Sequence, residues 1–93
     1  MRNLTDIKRR LKVGNIVTMT QHDNYPHDNY GGKLIGVPRE IEHVQSNAIR
    51  FIGGSWLYWP RAKDITIEDH DKFSVMLNPA KQTKMHYQIN LGA

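Results

Sequence analysis

Leu4, Ile7 and Leu11 recur at a spacing of three and then four, the apolar stripe of a short amphipathic helix. Asn3 stands where an N-cap belongs, and Asp6 lies in the first turn, near the positive end of the helix dipole. Lys8, Arg9, Arg10 and Lys12 crowd the last turn, where cations are favoured, and Gly14 is a natural stop. A helix of about nine residues is marginal alone in water, so this stripe must dock on something. From Val13 the period changes to two. "NIVTMT", "REIEHVQS", "AIRFI", "SWLYW" and "DITIE" are short β-prone runs, and "KFSVML" places Phe73, Val75 and Leu77 on one face. The cleanest alternation is "KMHYQINL", where Met85, Tyr87, Ile89 and Leu91 interleave with Lys84, His86, Gln88 and Asn90. Gly53-Gly54 predicts a type I′ hairpin, Ser46-Asn47 and Asn78-Pro79 predict turns, and Pro60 ends the aromatic run because it has no N–H to give a ladder.

These runs predict a mainly β chain whose strands close into a small barrel, since closure removes exposed sheet edges. "VGNIVTMT", a long loop, and then "REIEHVQSNAIRFIGGSWLYWPRAKDI" resemble the strand order of SH3-like small barrels, over roughly residues 13–67. The resemblance implies a first strand, a long loop and a tight three-stranded meander. The expected architecture is an SH3-like barrel of about five to six short strands with a short N-terminal helix and a C-terminal β-hairpin extension. Residues 1–93 then form a single domain: a basic helical leader over 1–12, the barrel over 13–69 and the hairpin over 70–93. The hairpin is free to extend the sheet, to cover one end, or to pair with a second subunit, so an oligomer through the C-terminal strand is one expectation. The stretch "SWLYWP" also resembles small uncharacterised proteins of phages and mobile elements.

Charge changes the picture more than composition does. The chain carries a formal net charge of +4, and residues 1–12 hold five basic side chains against Asp6 alone. Residues 13–93 hold eight basic and eight acidic side chains, so the whole excess sits in the leader. A cluster of this kind is the expected footprint for a polyanion. The absence of cysteine excludes disulfides, thiolate zinc sites and cysteine nucleophiles, and suits a reducing interior. No apolar run approaches the ~20 residues of a membrane span, and Met1 to Gly14 lacks the apolar centre of a signal peptide. A cytoplasmic protein with no membrane partner is expected.

"HDNYPHDNY", residues 22–30, says one thing twice. His22 and His27 with Asp23 and Asp28 suggest a metal clip, but Pro26 breaks any helix that would align them and no third ligand is evident. Asp, Asn, Pro and Gly are turn formers, so a long binding loop presenting Tyr25 and Tyr30, without metal or cofactor, is the better reading. In the aromatic run Trp56 and Tyr58 share one face, while Leu57 and Trp59 share the other. One face must enter the core; the other is left for a partner, with Arg50 and Arg61 flanking it. "EDHD", residues 68–71, has acid–base residue types, yet neighbours on a strand point to opposite faces, so it reads as a solvated turn. No nucleophile motif or phosphate-binding glycine loop occurs, and the chain is expected not to be an enzyme.

The favoured reading is a nucleic-acid-binding module, for DNA or RNA. Lys8, Arg9, Arg10 and Lys12 contact phosphate, while Tyr25, Tyr30, Trp56 and Tyr58 stack bases beside Arg50 and Arg61. The alternative is a phage-type inhibitor, similar to anti-CRISPR proteins, docking on a host nuclease or another nucleic-acid-processing protein.

Overall fold

The computed structural model describes residues 4–23, 34–78, 80 and 83–90. One helix, α1 (Leu4–Arg10), precedes seven strands: β1 (Ile16–His22), β2 (Pro38–Val44), β3 (Ala48–Phe51), β4 (Trp56–Tyr58), β5 (Ile65–Asp69), β6 (Lys72–Asn78) and β7 (Thr83–Asn90). A 3-10 turn, Ala62–Asp64, separates β4 from β5. All the strand pairings are antiparallel, and the strands form one sheet in the order β4-β3-β2-β1-β7-β6-β5.

The sheet is therefore open, not a closed barrel, and it has seven strands rather than five or six. Its two edges, β4 and β5, do not pair with each other. It does curl. Trp59, just past β4, packs its ring edge-on to Phe73 of β6 at a centroid distance of 6.2 Å, and Phe73 stacks on Tyr87 of β7 at 5.2 Å. In a flat sheet β4 and β6, five strands apart, would be separated by roughly 24 Å. Curling wraps one apolar face around a single core, which draws Val17, Ile41, Ile49, Phe51, Leu57, Ile65, Phe73, Val75, Met85, Tyr87 and Ile89 from every strand.

The C-terminal hairpin extends the sheet beyond β1. β7 lies between β1 and β6, with Val17 opposite Ile89, Met19 opposite Tyr87, and Phe73 opposite Tyr87 on its other side. Both edges of β7 are consumed inside the chain, so it offers no strand to a second subunit. Its alternation arises from one buried face, Met85, Tyr87 and Ile89, and an outer face carrying Gln88 and Asn90.

The helix performs the docking that its stripe demands: Ile7 is fully buried, Leu11 nearly so, and Leu4 packs against them. Its cations act at both ends of the curl. Lys8 donates from Nζ to the Ser46 carbonyl in the β2–β3 turn, and Arg10 donates to the carbonyls of Asp69 and His70 in the β5–β6 turn. The helix so ties the two arms of the sheet where strand pairing leaves them open. Asn3 lies outside the described residues. The helix ends at Arg10, four residues before Gly14, which turns the chain into β1 with φ 93°: Asn15 donates from its backbone N–H to the Lys12 carbonyl. In the β3–β4 hairpin, the Phe51 carbonyl accepts from Gly54 N–H, so Ile52 and Gly53 are the central turn residues, one position earlier than a Gly-Gly type I′ turn.

Because Ile7 enters the core whereas Lys8 ties an exposed turn, Ile7→Ala should lower unfolding stability by about 2–5 kcal/mol. Lys8→Ala should cost only about 1 kcal/mol, read by urea denaturation.

Candidate functional site

The candidate residues separate into two groups. The first follows from the strand register. Arg50 of β3 stands opposite Trp56 of β4, and Ala48 stands opposite Tyr58. Because residues two apart on a strand share a face, Trp56 and Tyr58 project outward while Leu57 enters the core. Trp56 is 36% exposed and Tyr58 60%, against 5% for Leu57. The two outer rings stack at 5.9 Å with an interplanar angle of 23°, and the Arg50 guanidinium lies 5.6 Å from the Trp56 ring centroid. Arg50 also pairs with Glu42 of β2 at 3.3 Å, so charge at this face is balanced. Ile52, in the turn leading to β4, adds another exposed apolar side chain.

The second group is basic. Arg9, Arg10 and Lys12 line one cavity of about 280 Å³ together with Asn15. Arg9 approaches Asp6 at 3.9 Å but remains largely exposed. Arg10 is anchored by backbone carbonyls, which fix a guanidinium without cancelling its charge. Asn15 is itself held by the Lys12 N–H, which donates to its side-chain oxygen at 2.8 Å. Lys8 lies apart from this cavity, at the Ser46 turn, two residues before Ala48 and so at the Tyr58 end of the aromatic strand. Arg61 belongs to neither group: its Nε pairs with Asp64 at 3.2 Å across the 3-10 turn. Tyr25 and Tyr30 lie outside the described residues.

Several further placements were not legible in the chain. Arg39 is half-buried with its guanidinium 4.0 Å above the Phe51 ring, and burial pulls its pKa below the ordinary arginine value while Tyr87 opposes the shift. It caps the core. His22 is buried at the end of β1, so the first histidine of the repeat belongs to a strand and not to the loop. His86 joins two strands and the loop entrance: one ring nitrogen meets Asp23 and the other Glu68, each at 3.0 Å. Ser74 faces His86 across β6 and β7, yet both imidazole nitrogens go to carboxylates, which leaves neither to serve the Ser74 hydroxyl as a base.

A larger cavity of about 580 Å³ opens on the outer face of β1 and β7, lined by Thr18, Thr20, Gln88, Asn90, His70 and Asp71. Its wall includes the β5–β6 turn. There the strand argument applied to "EDHD" holds only as far as Asp69, the end of β5, because His70 and Asp71 form a turn: donor atoms of Asp69, His70 and Asp71 lie within 4.8 Å of one another. Asp69 and His70 are exposed, and Asp69 accepts from His70 N–H at 2.7 Å, the local bonding of a solvated turn.

Among the described residues no helix is long and apolar enough to cross a membrane. No family model, curated protein or solved structure matches this chain.

Since only one face of β4 supports the core, Leu57→Ala should lower stability by about 2–5 kcal/mol. Trp56→Ala and Tyr58→Ala should each cost under about 1.5 kcal/mol, the range of a surface aromatic pair, in thermal or urea unfolding.

Proposed function

We propose that this chain is a non-catalytic module that binds nucleic acid through the basic face of α1. The reading is carried by the convergence of Arg9, Arg10 and Lys12 on one cavity. A phosphate oxyanion accepts hydrogen bonds from guanidinium and ammonium donors, and three such groups around one concavity favour it over water. Two features strengthen the argument. Arg10 is fixed in place by carbonyls, so little side-chain entropy is lost when a phosphate arrives. The leader also carries the entire charge surplus of the molecule, which would steer a polyanion toward this face.

A second reading has its own support. The outer face of β4 presents two rings in a charge-balanced setting, with Arg50 matched by Glu42, and balanced aromatic surface suits a protein partner better than a phosphate backbone. A phage-type inhibitor docking on a nuclease would use such a face.

Fluorescence anisotropy with labelled single- and double-stranded DNA and RNA at two salt concentrations separates the readings. Phosphate binding predicts affinity that falls steeply with salt, and Arg9→Gln with Lys12→Gln should reduce the slope of log K against log salt by about two, roughly one per contact removed. Absence of binding at low salt overturns the nucleic-acid reading. A protein complex that is insensitive to salt and is lost in Trp56→Ala would establish the second.

A further inference from the structure

β4 is a sheet edge whose backbone is free to pair. The β3–β4 ladder shows which groups are free: Phe51 N–H donates to the Ser55 carbonyl and Trp59 N–H to the Asn47 carbonyl. Hydrogen-bonded pairs alternate along an antiparallel ladder, so Ile49 and Leu57, midway between these two, form the next such pair. The N–H and C=O groups of Trp56 and Tyr58 must then point away from β3. Among the described residues no strand lies on that side.

The two edges of the sheet are treated differently. β5 is blunted by an irregular register between Ile67 and Asp69, by the charges of Glu68 and Asp69, and by Arg10, which occupies carbonyls at its end. These are the usual protections of an edge strand. β4 has only its shortness and the following Pro60, and its outward side chains are apolar rings.

We infer that β4 pairs with β4 of a second copy of this chain, antiparallel and centred on Leu57. A two-fold axis there makes Trp56 of one copy the hydrogen-bonded partner of Tyr58 of the other, and the reverse, so all four outward N–H groups and all four carbonyls are satisfied. The same register sets each indole against a phenol ring across the axis, on the face where Trp56 and Tyr58 already stack. It is an isologous contact, self-complementary without further design. Charge does not oppose it, because Glu42 neutralises the Arg50 beside Trp56. The inference is independent of nucleic-acid binding, which is argued from Arg9, Arg10 and Lys12 and uses no residue of β4, and it replaces the C-terminal strand as the route to an oligomer.

Sedimentation equilibrium of the intact chain without nucleic acid, in a concentration series reaching about 1 mM, tests this. A concentration-dependent dimer is expected. Tyr58→Pro removes an N–H that points outward and leaves the β3 ladder intact, so it should abolish the dimer while circular dichroism remains unchanged. Should that variant unfold, a register test remains, since the chain has no cysteine of its own. Mixing Trp56→Cys chains with Tyr58→Cys chains under mild oxidation should yield the mixed disulfide several-fold over either symmetric product. A monomer throughout the series, a dimer that survives in folded Tyr58→Pro, or a mixed disulfide no more than twice either symmetric product, the statistical ratio, would each overturn the proposal.

Discussion

The pairing of β7 with β1 is the constraint on which the rest of the structure depends. It joins the strand that opens the β region to the strand near the chain's end, with Ile16 opposite Asn90 and His22 opposite Met85. Closing so long a loop carries an entropic cost, which the buried faces of Val17, Met19, Met85, Tyr87 and Ile89 offset. Without this ladder, β1–β2–β3–β4 and β5–β6–β7 would be separate meanders of four and three strands, each with a bare apolar face. With it they become the arms of one curled sheet, and Trp59 reaches Phe73 across the core.

The positions of the candidate surfaces follow from that arrangement. Because β7 is inserted between β1 and β6, β4 and β5 become the edges, and the open end between the arms is tied by α1 rather than by strand pairing. The leader is thus both a structural clamp and a charged surface: Ile7 and Leu11 face inward, Lys8 and Arg10 grip turns on the two arms, and Arg9 and Lys12 remain outward. Carbonyl partners hold a cation without neutralising it, so the two roles are compatible. On β4 the division is set by the pleat alone, with Leu57 spent on the core and Trp56 and Tyr58 left outside.

Much of this was legible in local pattern. The apolar stripe of α1, the alternation in β7, the Gly53-Gly54 hairpin and the opposition of Leu57 to Trp56 and Tyr58 all depend on neighbours a few residues away, where periodicity and turn chemistry operate. What failed to show was pairing at a distance. Nothing near residue 86 announces that His86 will meet Asp23, 63 positions earlier, and nothing in "REIEH" marks Arg39 as the cap on Phe51. The closed barrel was wrong for the same reason: strand existence is local, whereas closure depends on which edges meet.

The amino-acid order by itself determined the element types, the buried face of each strand and the confinement of surplus charge to the first twelve residues, because these are properties of short windows. Only the tertiary structure decided that β7 lies inside the sheet beside the central β1, that no strand among the described residues covers the outer edge of β4, and that three leader cations converge on one cavity. Those outcomes are set by the competition among all possible strand partners for the same backbone donors and acceptors, a competition that no short stretch can resolve.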